Sequence, residues 1–253
     1  MVEDTAAKGP GGDVVHEGQY VYCIIGTGEA RNFGPIGIGD RGDSVTTIAY
    51  RDLSAVVSSV PMTKYVVSKE TMVAHEKVIE VVMRDYTVLP VRFYTVAPNA
   101  EEIRSLLRRR YQEFKKLLRE LDNKVELGLK AIWKGMNAIF SEIAEENEKI
   151  KAAATTVDKD AVSKIIKSAL EERKVRERGS LLGPLRRISS DFCLNKAYGD
   201  DMLMNAAFLV DRAREMEFDS QVERLASEHG HRIELKYVGP APPYSFVNIV
   251  VKE

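Results

Sequence analysis

The chain has 253 residues, 44% apolar and 30% charged, which fits a soluble globular protein with a core large enough to need no disulfide staples. Its 37 lysines and arginines almost cancel 38 aspartates and glutamates, so the formal charge of −1 creates no net field to gather nucleic acid or anionic lipid. Binding to either would need a local patch.

Residues 1–18 read as a flexible segment outside the fold, acidic at the start and glycine-rich at 9–12, without an apolar run of signal-peptide length. No stretch of about 18 apolar residues occurs anywhere, so neither a membrane span nor standard export is expected. The first strand is expected over Tyr20–Ile25, stopped by Gly26 and Gly28, and any helix between Glu29 and Asn32 must be short because FGPIGIGDRG follows. Val45–Tyr50 and Ala55–Val60 read as a hairpin. Ser68 is an N-cap for a helix carrying Met72, Val78, Ile79, Val82, Met83 and Tyr86, and Thr87–Val96 is a β-rich run whose Pro90 favours an edge or a strand start. The order strand, short helix, strand, strand, helix, strand is that of the split β-α-β, or ferredoxin-like, fold.

Asn99, with Glu102 three residues on, caps a second long helix reaching about Leu121. Its polar face holds Arg108, Arg109, Lys115, Lys116 and Arg119, but Glu113 and Glu120 interrupt the field, and an ordinary solvated face is the better reading. A domain boundary is placed near Leu121–Lys124. The second domain, 123–253, then runs through an alternating strand at Val125–Trp133 and a helical insertion over 136–198. Three helices are expected there: Met136–Ile150, Val157–Arg178 stopped by Gly179, and Pro184–Tyr198. A strand at Leu203–Val210, a helix at Arg212–His229 and strands at Arg232–Val238 and Phe246–Val251 complete it. The fold class is thus α+β in two domains: 19–122, ferredoxin-like, and 123–253, a sheet domain with a helical insertion.

Every catalytic or ligand-binding motif lacks a required member. Gly26-Thr27-Gly28 follows a strand as a dinucleotide motif would, but Arg31 stands where its third glycine belongs. His75-Glu76 opens like a zinc-protease helix, yet Ile79 occupies the second histidine's place, so His75 reads as a histidine at the edge of the core. His229 and His231 flank a turn with no third ligand nearby. Cys23 and Cys193 have no C-x-x-C partner and read as reduced, buried thiols of a cytoplasmic protein. No serine elbow occurs, the acidic pairs lie on strongly charged helices, and Arg41-Gly42-Asp43 is a chance tripeptide. No enzyme, cofactor or metal is expected.

The segment Gly239-Pro240-Ala241-Pro242-Pro243-Tyr244-Ser245-Phe246 stands out. Its three prolines remove backbone donors and fix φ, so it is a stiff connector; read functionally, Pro242, Pro243, Tyr244 and Phe246 form a preorganised partner-binding rim. GPAPPYSF resembles the GP-x-PPY-[NS]-F signature of the gas vesicle protein GvpL/GvpF family. YVYCII, LSAVVSSVP and AHEKVIEVVMRDYTVLPVRFYTV resemble the same family in the same order, over Tyr20–Val251. Two positions depart: Ala241 stands where the family often has tryptophan, and Tyr94 where it often has glycine. The resemblance implies a non-enzymatic accessory or minor structural protein in the cytoplasm and at the gas vesicle. Such a protein associates with the small, hydrophobic major shell protein and other accessory proteins during assembly, with no nucleic acid or membrane as partner. The alternative is a small-molecule-sensing module of ferredoxin-like fold; an RNA-binding sheet would need an exposed aromatic strand motif that is absent.

Overall fold

The computed structural model describes residues 16–39, 41–62, 68–146 and 159–249. These residues form a mixed α+β protein with two sheets and six α-helices, and the chain divides into two units, Met1–Lys124 with Ala241–Glu253, and Val125–Pro240.

The first unit is built on β1 (Glu17–Ile25). Its sheet runs β2 (Asn32–Gly34), β3 (Val45–Tyr50), β4 (Leu53–Pro61), β1, β5 (Val88–Pro90), and β6 (Val96–Ala97) also pairs with β1. β1 lies antiparallel to both β4 and β5. Residues 20–25 are buried throughout, as a continuous apolar run covered on both faces requires. The pairing of β1 with β4 shifts register at a bulge between Val21 and Cys23. Helix α1 (Lys69–Met83) covers the face holding Tyr20, Tyr22 and Val56, using Val78, Ile79 and Val82. Helix α2 (Ala100–Arg109) packs across β3 and β4, and α3 (Tyr111–Glu120) against β5. Ser68 and Asn99 cap α1 and α2, Ser68 within a reciprocal capping box with Thr71.

The first unit corrects several expectations. Glu17 and Gly18 belong to β1, where Gly18 sits so close to its neighbours that a Cβ would lie 2.5 Å from Met62 Sδ; residues 1–15 of the expected flexible segment lie outside the described residues. No helix forms at 29–32, where the chain instead enters the short strand β2. The hairpin turn is only Arg51-Asp52, with Arg51 at φ 53°, so Leu53 and Ser54 join the strand. The long helix expected to reach Leu121 breaks at Arg110, whose guanidinium pairs with Glu113 and lies over the Phe114 ring at 4.8 Å. Thr87–Val96 is not one strand: it turns at Phe93-Tyr94 between β5 and β6, with Tyr94 at φ 67°.

The largest correction concerns the C-terminus. The sequence pattern predicts one domain over 123–253, ending on a strand at 246–251. Instead the chain returns to the first unit after Pro240: Val91 and Ile249 form a parallel bridge, the Arg92 N–H donates to the Ile249 carbonyl at 3.2 Å, and Val247 and Ile249 are buried. Residues 250–251 lie outside the described residues.

In the second unit the sheet order is β10 (Ile233–Ala241), β7 (Lys124–Trp133), β9 (Met202–Asp211), β8 (Asp191–Leu194). The alternation of Val125, Leu127, Leu129, Ala131 and Trp133 survives as one buried face. Against it lie α4 (Met136–Glu146), α5 (Lys159–Arg186) and α6 (Glu215–His229) through Ile139, Ile143, Leu181, Leu185, Phe218 and Leu225. Residues 147–158 of the two expected helices lie outside the described residues. Gly179 does not stop α5, and Pro184 lies inside it. Burial of Leu181, Leu182, Leu185 and Ile188 offsets the helix-breaking cost, which is about 3 kcal/mol for an interior proline. The helix expected over 184–198 therefore ends early and gives way to β8, an edge strand paired antiparallel with β9.

Candidate functional site

The glycines after β1 serve the backbone. A Cβ on Gly28 would lie 2.1 Å from the Arg51 carbonyl oxygen, so close packing against the β3–β4 turn accounts for the glycine. Cys23 is fully buried, and burial pushes its thiol pKa far up. Among the described residues no cluster of three or more His, Cys, Asp and Glu is arranged to hold a metal ion, and no helix is long and apolar enough to cross a membrane. The basic face of α2 and α3 is occupied locally: Arg109 donates to Ser105 at 2.8 Å, Lys116 pairs with Glu120, and Lys115 reaches Asp52 at 2.6 Å. Lys115 first, then Tyr111, holds the Asp52 carboxyl down at about 2.

A concave feature lies in the first unit. A cavity of about 450 Å³ opens between α1, the segment after β5 and the returning C-terminal tail. α1 contributes Met72, His75 and Glu76, the middle segment Arg92 and Phe93, and the tail Tyr244, Val247 and Asn248. His75 forms part of its wall at only 2% exposure. It stacks on Tyr22, with ring centroids 5.7 Å apart, and meets Tyr20 and Phe93 edge-on.

Hydrogen bonding sets the state of this imidazole. The Tyr20 hydroxyl oxygen accepts from the Tyr94 N–H at 3.0 Å and lies 3.0 Å from His75 Nδ1. A buried hydroxyl proton needs an acceptor, and Nδ1 supplies it, which assigns the other hydrogen to Nε2. His75 Nε2 is buried and has no hydrogen-bond partner among the described residues. Burial drives the His75 pKa down to about 4, so the ring is neutral at pH 7. Burial is also the first cause raising the pKa of Tyr20, and of Tyr244, where the nearby Glu76 charge adds to it.

The expected rim divides. Pro242 and Pro243 are buried, Phe246 is half-buried, and Tyr244 is 38% exposed at the cavity. Thus Tyr244 is the member with the most accessible ring, while the prolines hold the turn, in which the Tyr244 N–H donates to the Pro242 carbonyl at 2.7 Å. The Gly239–Pro240 bond is cis. In the sequence His75 reads as a core-edge residue, and no local pattern joins it to Tyr244, Met72, Arg92 and Asn248, which line the same cavity. The available signal was Tyr20 and Tyr22 inside an otherwise apolar strand, since two buried hydroxyls demand polar partners.

A family model described as gas vesicle synthesis protein GvpL/GvpF matches residues 18–248. Gas vesicle protein F of Haloferax mediterranei is 26% identical over 210 residues, spanning 82% of this chain and 83% of its own length. The crystal structure of gas vesicle protein GvpF from Microcystis aeruginosa is similar at a TM-score of 0.77 and 25% identity, covering 90% of this chain and 98% of that one. The GvpF crystal structure from Anabaena sp. PCC7120 shares the fold at a TM-score of 0.80 and 23% identity, over 93% of this chain and 100% of that one.

Proposed function

Since the chain belongs to the gas vesicle synthesis protein GvpL/GvpF family, we propose that it is an accessory or minor structural protein that takes part in vesicle assembly. In this reading it binds the major shell protein and other accessory proteins, in the cytoplasm and at the vesicle. The family match across residues 18–248 is the observation that carries the reading, and a gas vesicle protein of this kind is not an enzyme class. Physically, the task is to cover an aggregation-prone apolar subunit until it joins the shell, and a standard specific interface for that covers roughly 800 Å² on each partner. We also read the first unit as a ferredoxin-like variant. Its strand order β3-β4-β1-β5 and antiparallel pairing support this, with β2 and the glycine-rich loop standing where the first helix would be.

The second reading, a small-molecule sensor, draws on the His75 cavity. Co-purification from cells with and without the shell protein separates the two. An assembly protein co-purifies with vesicle components only when the shell protein is present. A sensor shows no such dependence and shifts its melting temperature with a metabolite.

A further inference from the structure

Two opposite charges line the cavity of the first unit without pairing with each other. Glu76 comes from α1 and Arg92 from the segment after β5; both are exposed, and among the described residues neither side chain has an ion pair or a hydrogen-bond partner. The Glu76 charge acts on the tail that closes the cavity, where it helps to raise the pKa of the Tyr244 hydroxyl. Asn248, on the same tail, is likewise exposed and unpartnered among the described residues, and its amide can both donate and accept. The lining is therefore mixed, since Met72, Phe93 and the Tyr244 ring give it an apolar part beside these polar groups.

We propose that this cavity binds a free α-amino acid with a bulky apolar side chain: Arg92 takes its carboxylate, Glu76 its ammonium group, and Met72, Phe93 and Tyr244 its side chain. This ligand site goes beyond the assembly role and does not rest on shell binding. Charge complementarity selects the class. The Arg92 guanidinium is a planar fork of donors that suits a carboxylate, and the Glu76 carboxylate, which only accepts, suits an ammonium group. A simple anion or cation is attracted by one of the two and repelled by the other, whereas a zwitterion satisfies both. An α-amino acid carries the two charges on one carbon and leaves its side chain free for the apolar part of the lining. The end of a peptide chain offers only one of the charges. A volume of about 450 Å³ falls within the range of small-ligand sites, about 300–1,000 Å³. Each exposed ion pair alone is worth little, so affinity depends on engaging both charges and the apolar part at once. Aromatic rings and a thioether in the lining make phenylalanine the suitable probe.

The test titrates the full-length ¹⁵N-labelled protein with L-phenylalanine near pH 7, where the ligand carries both charges. The other probes are N-acetyl-L-phenylalanine, which lacks the ammonium group, L-phenylalaninamide, which lacks the carboxylate, and glycine, which lacks the side chain. Glu76→Gln, Arg92→Gln and, outside the cavity, Arg109→Gln are compared with the wild type, and circular dichroism checks each fold. L-phenylalanine should bind saturably and move the backbone amide signals of Glu76, Phe93 and Asn248. Each of the three truncated probes, and each cavity variant with L-phenylalanine, should bind at least roughly tenfold more weakly, as loss of one charge-assisted contact does, while Arg109→Gln stays within about twofold. Glu76→Gln should also abolish the preference for L-phenylalanine over its N-acetyl form, and Arg92→Gln the preference over the amide, which a merely structural role would leave in place. No saturable binding up to about 10 mM ligand overturns the inference. Binding that both cavity variants leave within about twofold of wild type, or signal shifts confined to residues outside the cavity, overturns it equally.

Discussion

Trp133, at the end of β7, donates its indole N–H to the Glu177 carboxylate at 2.6 Å, tying the last residue of a strand to the middle of α5. The other oxygen of Glu177 accepts from Arg173 Nε at 2.7 Å and Arg232 Nη2 at 3.1 Å, and both arginines also reach Glu142. These contacts hold the Glu177 pKa down against the burial that would raise it. Removing one member of such a network strands the others. Glu177→Ala should therefore cost about 2–3 kcal/mol in urea unfolding, whereas Lys116→Ala, which removes an exposed pair with Glu120, should stay within about 0.5 kcal/mol. Equal costs would mean that the network contributes no more than a surface pair.

Tyr94 occupies a left-handed backbone position, φ 67°, at the turn between β5 and β6. Such a position favours glycine, so Tyr94 places a side chain where a bare backbone is easier. Tyr94→Gly should be tolerated, and Tyr94→Val should be less stable than Tyr94→Gly by about 1–2 kcal/mol, because a β-branched residue is strained there. Thermal unfolding of both variants gives the ranking. A valine variant as stable as the glycine variant would contradict the strain.

Patterns that report local burial were readable from the sequence. The alternation through Val125–Trp133, the Ser68 and Asn99 caps, and the buried run Tyr20–Ile25 all appear where expected. Structure departs from sequence pattern where tertiary packing overrides local preference. Pro184 and Gly179 read as helix boundaries, yet the burial of Leu181 and Leu185 carries the helix through both. Phe192 and Cys193 read as helix but supply an edge partner for β9. No local pattern could reveal that the chain beyond Pro240 returns to the first unit, because that placement depends on a contact between Val91 and Ile249, far apart in sequence. For the same reason GPAPPYSF was legible as a special segment, while the cavity it helps to wall was not.

The buried His75 makes stability depend on pH. Its pKa falls from 6.5 unfolded to about 4 in the fold through burial, so between these values the unfolded chain binds the extra proton. Stability is fully present above pH 6.5 and is lost as pH falls toward 4. The groups around it are Tyr20 and Tyr22 from β1, Glu76 beside it on α1, and Arg92 and Tyr244 across the cavity. This residue should remove about 2 kcal/mol of unfolding free energy between pH 7 and pH 5. NMR titration should find the imidazole neutral throughout that range, and a midpoint near 6.5 would show that it is not buried as described.

The central claim, direct association with the major shell protein, is tested by pull-down of the purified protein on soluble shell-protein fusions at low and high salt. An apolar interface is barely screened, whereas attraction through Arg108–Arg119 would weaken steeply with ionic strength. The account predicts capture at both salts, retained when Arg109 and Lys116 are reversed to glutamate. A folded protein that is captured at neither salt would contradict it.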